Sequence, residues 1–200
     1  MAAPPEKTLD DLNGSWLMNR KLSGDTDAVL SLQGVSWFIR KTVGFATVTL
    51  NHKHYKDDEG NEHIDIDQLI TPGLQGTSEK RTLNWQWRDH SDIIFGKVKG
   101  RTRKVRFSDV PDDEDGKFMK EGWEPAFLEK GEVIETYVES LDKGWTANQF
   151  WGFELIDGER RFLRHVIVKD KSGKKVIRLK IVYDWVGPLA DTNGSNGTAQ

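Results

Sequence analysis

The chain has no cysteine among its 200 residues, which excludes a disulfide framework and a thiolate metal site. It has no stretch near the ~20 consecutive apolar residues of a membrane-spanning helix, so no integral membrane segment is expected. The opening Met1-Ala2-Ala3-Pro4-Pro5-Glu6-Lys7 lacks the apolar core of a secretory signal, and the expected location is the cytoplasm. Three Asn-x-Ser/Thr sequons, at Asn13, Asn193 and Asn196, matter only in a secreted chain and are read as chance. Positive charge is not in surplus. Lys and Arg number 29 against 32 Asp and Glu, a net charge of -3, whereas a protein that tracks phosphates shows a dominant basic face. No nucleic-acid partner is expected. A Gly-x-Ser-x-Gly elbow, a phosphate-binding loop, a dinucleotide fingerprint and a His-Glu-x-x-His pair are all missing. Hydrolase, kinase and nicotinamide-dependent classes therefore lack support, and no cofactor is expected.

What is present is an aromatic-rich chain, with eight Trp and nine Phe, long enough for one domain that buries roughly 70% of the surface its unfolded form exposes. Residues 1–11 read as a flexible, Pro-rich leader and 189–200 as a disordered polar tail, leaving one domain over 12–188. A first strand spans 14–20. Ser23 and Asp25 offer N-cap oxygens to a short helix through Ala28, Val29, Leu30 and Leu32, Gly34 stops it, and 35–41 holds a second helical turn.

From Ala46 the period becomes two. Val48 and Leu50 lead to Tyr55, Asp57-Asp58-Glu59-Gly60 turns the chain, and Ile64, Ile66 and Ile70 return. Further strands are predicted at 83–87, 93–98, 101–107, 133–138, 145–156, 161–168 and 176–185, the last three separated by turns at Asp157-Gly158 and Ser172-Gly173. The fold class is mainly β: a single antiparallel up-and-down barrel of about ten strands, with a short N-terminal helical lid.

Three motifs occur in an order that points to a family. Leu30 to Lys41 (LSLQGVSWFIRK) resembles the helix-turn-helix of intracellular fatty-acid-binding proteins, Glu154-Leu155-Ile156-Asp157-Gly158 resembles their penultimate hairpin turn, and Gly14-Ser15-Trp16 is similar to their opening Gly-x-Trp. The resemblance spans most of 12–186 and implies a calycin barrel, of the fatty-acid-binding or the lipocalin branch, enclosing a cavity for a hydrophobic small molecule. The departures concern its charge. Many members hold a carboxylate with an Arg-x-Tyr pair in the last strand and an Arg just before the Glu-Leu-Ile-Asp-Gly turn. Tyr183 is present here, but Ile181 and Phe153 occupy the arginine positions. A buried carboxylate without a cation is costly, so a neutral aromatic or terpenoid ligand is expected.

The alternation gives the candidate ligand-binding residues: Trp85, Trp87, Gln149, Trp151, Phe153, Ile181 and Tyr183. The aromatics either fill the barrel or stack on a ligand. Gln149 among them needs a hydrogen-bond partner, a ligand hydroxyl or a water. His52, His54 and His63 would meet across the first hairpin if Lys56 pairs with Asn61, forming a zinc site, but a one-residue slip would part them; a solvated surface is the competing reading, and no metal is the expectation. His165, alternating with Leu163 and Ile167, would enter the cavity beside Tyr183 and serve in proton transfer, or be a satisfied core histidine. Arg40 and Lys41 form a positive rim at the lid or are plain surface charges. The acidic run Asp109 to Gly116 fails the calcium-loop pattern, with Pro111 at the first ligand position, and reads as a solvated loop over the barrel rim.

Two functional classes remain. The expectation is a carrier that shields a hydrophobic ligand; the alternative is a barrel enzyme, an isomerase or cyclase, folding a hydrophobic intermediate in the same cavity. A filled barrel used for protein contacts is the bland third reading.

Overall fold

The computed structural model describes residues 1–72 and 74–189, so most of the tail expected at 189–200 lies outside the described residues. The chain runs β1 (Gly14–Met18), α1 (Thr26–Leu32), α2 (Trp37–Phe45), β2 (Thr47–Lys56), β3 (Glu62–Thr71), β4 (Leu74–Thr82), β5 (Arg88–Asp92), β6 (Gly96–Arg106), α3 (Glu114–Lys120), α4 (Pro125–Lys130), β7 (Glu132–Ser140), β8 (Thr146–Ile156), β9 (Glu159–Lys169) and β10 (Val176–Gly187). All ten strands join one antiparallel sheet in the order β4-β3-β2-β1-β10-β9-β8-β7-β6-β5. Because β1 pairs with β10, the meander curls into a nearly closed calycin-type barrel whose two edges, β4 and β5, face each other unpaired. Among the described residues, no helix is long and apolar enough to cross a membrane.

The local signals act as the sequence suggests at the lid. The Asp25 carboxylate accepts from the N–H groups of Asp27 and Ala28 at 3.0 and 3.2 Å, capping α1, and Ser36 Oγ accepts from Ile39 N–H to begin α2. Arg40 is drawn into an ion pair with Asp27 at 2.5 Å, which ties the two helices together.

The structure differs at the sheet edges. The strand predicted at 83–87 is a loop in which Trp85 takes a positive φ of 59°, and the strands predicted at 93–98 and 101–107 are one, β6. The true edge strands, β4 (LQGTSEKRT) and β5 (RDHSD), are polar on both faces over 77–82 and 88–92. With a neighbour on one side only and polar residues alternating with polar residues, they show no apolar alternation for sequence reading to detect.

The acidic run Asp109 to Gly116 is solvated as expected, with 111–114 exposed, but it leads into two helices that pack on the barrel. Asp113 Oδ1 accepts from Gly116 N–H at 2.8 Å and caps α3, while Met119, Trp123 and Phe127 pack with Phe150, Leu163 and Ile167 in the main core. These helices cover the outer face of β8 and β9, so both faces of those strands are dry, and the run Phe162–Val168 is apolar or buried at every position. The leader, too, is docked rather than free. Ala3 N–H donates to Arg160 O at 2.7 Å, Leu9 and Leu12 are buried, and the Arg160 guanidinium donates to Pro4 O and Lys7 O at 3.0 and 2.8 Å while pairing with Glu124.

Gly152 on β8 is where the helical cover comes closest. A Cβ there would stand 2.7 Å from Phe127 and 2.8 Å from Trp123. Gly152→Val is expected to destabilise the protein by about 1–3 kcal/mol, read as a lower urea midpoint accompanied by a red-shifted Trp123 emission in the native baseline.

Candidate functional site

The inner face of the barrel divides into three layers. At the closed end Trp16, Phe153 and Phe162 are fully buried and pack on one another and on Trp185, with ring centroids 4.7 to 6.2 Å apart. This aromatic floor is solid core. At the lid end Val98, Val138, Ala147, Trp145 and Phe95 form the apolar part of a cavity of about 670 Å³, roofed by Gln33 of the lid. That volume is in the range of small-molecule sites. Between floor and chamber runs a polar belt.

The belt follows from strand register. Thr102 on β6 faces Thr136 on β7, Thr136 faces Gln149 on β8, and Trp151 faces Arg164 on β9, so each contributes an inward side chain at a similar depth. The two threonine hydroxyls lie 3.2 Å apart, and Trp151 Nε1 donates to Gln149 Oε1 at 3.2 Å. From β4, Arg81 donates to Thr102 Oγ1 at 3.3 Å and forms an ion pair with Glu79. From β9, Arg164 stands 4.1 Å above the Trp151 ring, Arg81 stands 5.5 Å from it, and Arg164 donates to His52 Nε2 at 3.3 Å. Arginine can only donate, so His52 accepts on Nε2 and carries its proton on Nδ1.

Electrostatics follow from that burial. Desolvation, then the nearby Arg164, hold the fully buried His52 well below the ordinary imidazole range, so it is neutral. Burial works to raise the Glu79 carboxyl, but the Arg81 and Arg164 guanidiniums outweigh it and keep it ionised. Burial raises the Tyr183 phenol against the opposing pull of Arg164, and burial lowers Arg164 itself.

The candidate residues divide accordingly. Gln149 borders the cavity. Trp151, Phe153 and Tyr183 are buried on the inner face beneath it, and Ile181 faces inward beside Arg164. Trp85 and Trp87 do not face the interior: they lie on the outer face of β6, where Arg101 rests between them at 4.1 and 4.4 Å. Their loop turns outward at the positive φ of Trp85. His165 is likewise on the other side of the wall. It pairs across from Lys180, its Nδ1 lies 3.0 Å from Phe118 O and its Nε2 2.8 Å from Glu154, and Trp123 stacks on it at 4.0 Å. The helical cover buries it, so it is a satisfied core histidine and does not meet Tyr183.

The histidines of the first hairpin part as well, because Lys56 pairs with Glu62 and not with Asn61. His52 and His54 point inward, where His54 accepts from Leu12 N–H at 3.3 Å and lies 2.8 Å from Glu62. His63 points outward to Asp57 at 2.9 Å. Among the described residues, no group of three or more His, Cys, Asp or Glu could hold a metal ion.

Sequence reading missed Arg81 and Arg164, and with them the cationic character of the interior. In Phe162-Leu163-Arg164-His165-Val166-Ile167-Val168 both alternating sets are apolar, so period two cannot say which one faces in. An arginine inside a run dry on both faces was the available signal.

A pH dependence follows from His52. Its folded value is depressed, so below about 6.5 the unfolded chain takes up a proton that the folded protein refuses. Stability is complete above that pH and lost as pH falls. Glu79, also depressed, begins to act only below the unfolded carboxylate range near 4.5, which isolates the histidine between pH 6 and 5. Wild type is expected to lose about 1.4 kcal/mol more per pH unit there than His52→Gln, measured by urea unfolding.

Solved structures with this architecture include the REP1-NXSQ fatty acid transporter, 18% identical with a TM-score of 0.53 over 90% of this chain and 98% of the other. A Schistosoma mansoni fatty acid binding protein in complex with arachidonic acid is 16% identical, with a TM-score of 0.53 over 88% of this chain and 96% of the other. Likeness at that level shows the fold. No protein-family model matches the chain. Sequence relatives are nearer: a probable pericyclase, scpY of Mollisia scopiformis, is 35% identical over 188 residues, 94% of this chain and 96% of the relative. Pericyclase pydY of an Acremonium species is 33% identical over 193 residues, 95% of this chain and 100% of the relative. With identity at that level across nearly the whole of each chain, this protein belongs to the family that contains the pericyclases scpY and pydY.

Proposed function

We propose that this protein is a pericyclase, a barrel enzyme that closes a ring in an apolar, unsaturated intermediate bound in the upper chamber. The observation that carries the reading is a cavity of about 670 Å³ with one apolar wall from Phe95, Val98, Val138, Trp145 and Ala147, a polar seam from β4 and β5, and the donors Arg81, Thr102 and Gln149, in a chain whose relatives over nearly its whole length are named pericyclases. A pericyclic step moves bonding electrons around a closed ring in one concerted event. It needs no nucleophile and no proton relay, and its principal barrier is the improbability of the folded conformer in which the chain ends meet. A shaped chamber supplies that conformer.

The residues divide the work. Val98, Val138, Ala147, Trp145 and Phe95 exclude water and press the conjugated body into a compact shape. Arg81, Thr102 and Gln149, at the bottom of the same cavity, donate to a carbonyl conjugated with the reacting double bond and draw electron density from it. A donor aimed at an oxygen that gains charge in the transition state contributes up to about 3 kcal/mol. His165, sealed beneath Trp123 on the outer side of the wall, has no part in this reading.

A carrier reading is supported by the fold likeness to fatty-acid-binding proteins; it places the ligand in the same chamber and leaves it unchanged. Incubation with the substrate of either pericyclase relative, followed by chiral chromatography at constant mass, separates the two. Ring closure is expected to give one stereoisomer of unchanged mass with loss of conjugated absorbance. Gly100 borders the chamber, and a Cβ there makes only ordinary contact, 3.5 Å from Val138. Gly100→Phe is therefore expected to slow turnover at least tenfold by filling the chamber, with circular dichroism and melting midpoint little changed. Substrate recovered intact from a tight complex would make the protein a carrier.

A further inference from the structure

The polar belt is short of acceptors. Inside the barrel, the buried side-chain atoms without a partner are Arg164 Nε, Arg81 Nε, His52 Nδ1 and Trp145 Nε1, together with His90 Nε2 on the β5 seam, whose role depends on its tautomer. By chemistry Arg Nε and Trp Nε1 are donors, and His52 Nδ1 is one because Nε2 already accepts from Arg164. Four orphaned donors call for one kind of missing group, an acceptor.

The charges are unequal in the same sense. Arg81 has Glu79 as its counter-ion. Arg164, with 9% of its surface exposed, has no carboxylate within ion-pair distance among the described residues; it meets the neutral His52 and the rings of Trp151, Tyr183 and Phe162. Two guanidiniums thus share one carboxylate. Arg40 and Arg161 also have an unpartnered Nε but, like Arg81, are each held by a carboxylate, and Arg101 lies among outer-face aromatics, which leaves Arg164 as the buried guanidinium without one. A buried guanidinium without a counter-ion is costly and persists where something else is gained.

We propose that Arg81, Arg164 and His52 form an oxyanion site, and that the ligand of this barrel carries a planar two-oxygen anion, of the carboxylate or enolate class, on its apolar unsaturated body. Arg81 is the guanidinium that the head group meets on the cavity wall. Arg164, closer to the shared Trp151 ring, supplies the second positive charge. The match is the fork geometry of guanidinium with two oxygens. These cations come from β4 and β9; Arg164 stands in register beside Ile181, one strand over from the position where the fatty-acid-binding resemblance would place an arginine. They reverse the expectation of a neutral ligand, which rested on an interior without arginine. For what then happens to the ligand, the inference rests on the ring-closing reading: the anchored head group sets the register in which the body folds in the chamber above.

The test is a fluorescence titration of the full chain with cis-parinaric acid and with its methyl ester at pH 7.5, which share a conjugated body and differ in charge. The acid is expected to bind at least tenfold tighter. Arg164→Met and Arg81→Met should each remove most of that preference by weakening the acid at least tenfold more than the ester, and Arg164→Lys should keep part of it. A purely structural arginine behaves differently when removed. Ligand-free Arg164→Met is expected to melt about 2–4 °C higher than wild type, because it loses an uncompensated buried charge.

Equal affinity for acid and ester overturns the proposal. So does failure of both to bind, or an Arg164→Met that melts lower and keeps the preference for the acid. Ring closure of a relative's substrate without any acid preference would remove the oxyanion site and leave the pericyclase reading standing. An acid preference without turnover would keep the site and remove that reading.

Discussion

Trp151, fully buried at mid-height, is the surface against which both interior guanidiniums rest, and the layering of the barrel depends on it. Its indole face offers Arg164 and Arg81 a cationic contact that water would otherwise supply, while its N–H ties down Gln149. Below it the aromatic floor leaves no room for a ligand; above it the chamber is open. A small barrel usually fills with side chains. This one fills to the height of Trp151, and what lies higher is space.

That arrangement is sustained from outside the barrel. The helices inserted between β6 and β7 dry the outer face of β8 and β9, burying His165, Glu154 and Leu163, and Gly152 allows Phe127 and Trp123 to close on the sheet. The strands that carry Gln149, Trp151 and Arg164 are therefore packed on both sides. Rigidity at this wall suits a site whose task is to hold donors and a shape in place. At the opposite wall, β4 and β5 remain unpaired and polar, and residues 78–82 and 88–92 border the cavity along that seam, where His90 and Asp92 lie 3.2 Å apart.

The same fold serves carriers and enzymes because the barrel only encloses; chemistry is decided by which groups face in. Here the inward groups are two guanidiniums with one carboxylate on one level, and above them a hydrocarbon wall that faces the polar seam of β4 and β5. An extended apolar chain would be content with hydrocarbon alone. A belt of donors beneath a compact chamber fits a ligand that is bent and held by one polar end.

Much of the molecule was legible in the amino-acid sequence because it is written locally. The segment order, the Asp25 cap, the lid and the Asp157-Gly158 turn, where φ is 51° and 77°, depend on residues within a few positions of one another, and together they specify a calycin barrel. Tertiary structure alone decided which residues face the cavity. The first hairpin settled one residue away from the register that would have gathered its histidines, and β9 presented Arg164 inward and His165 outward. Period two groups side chains by face, yet it cannot name the inner face of a strand that is apolar on both. That choice is made by partners distant in sequence: the helical cover that claims His165, and the Trp151 ring and His52 that receive Arg164.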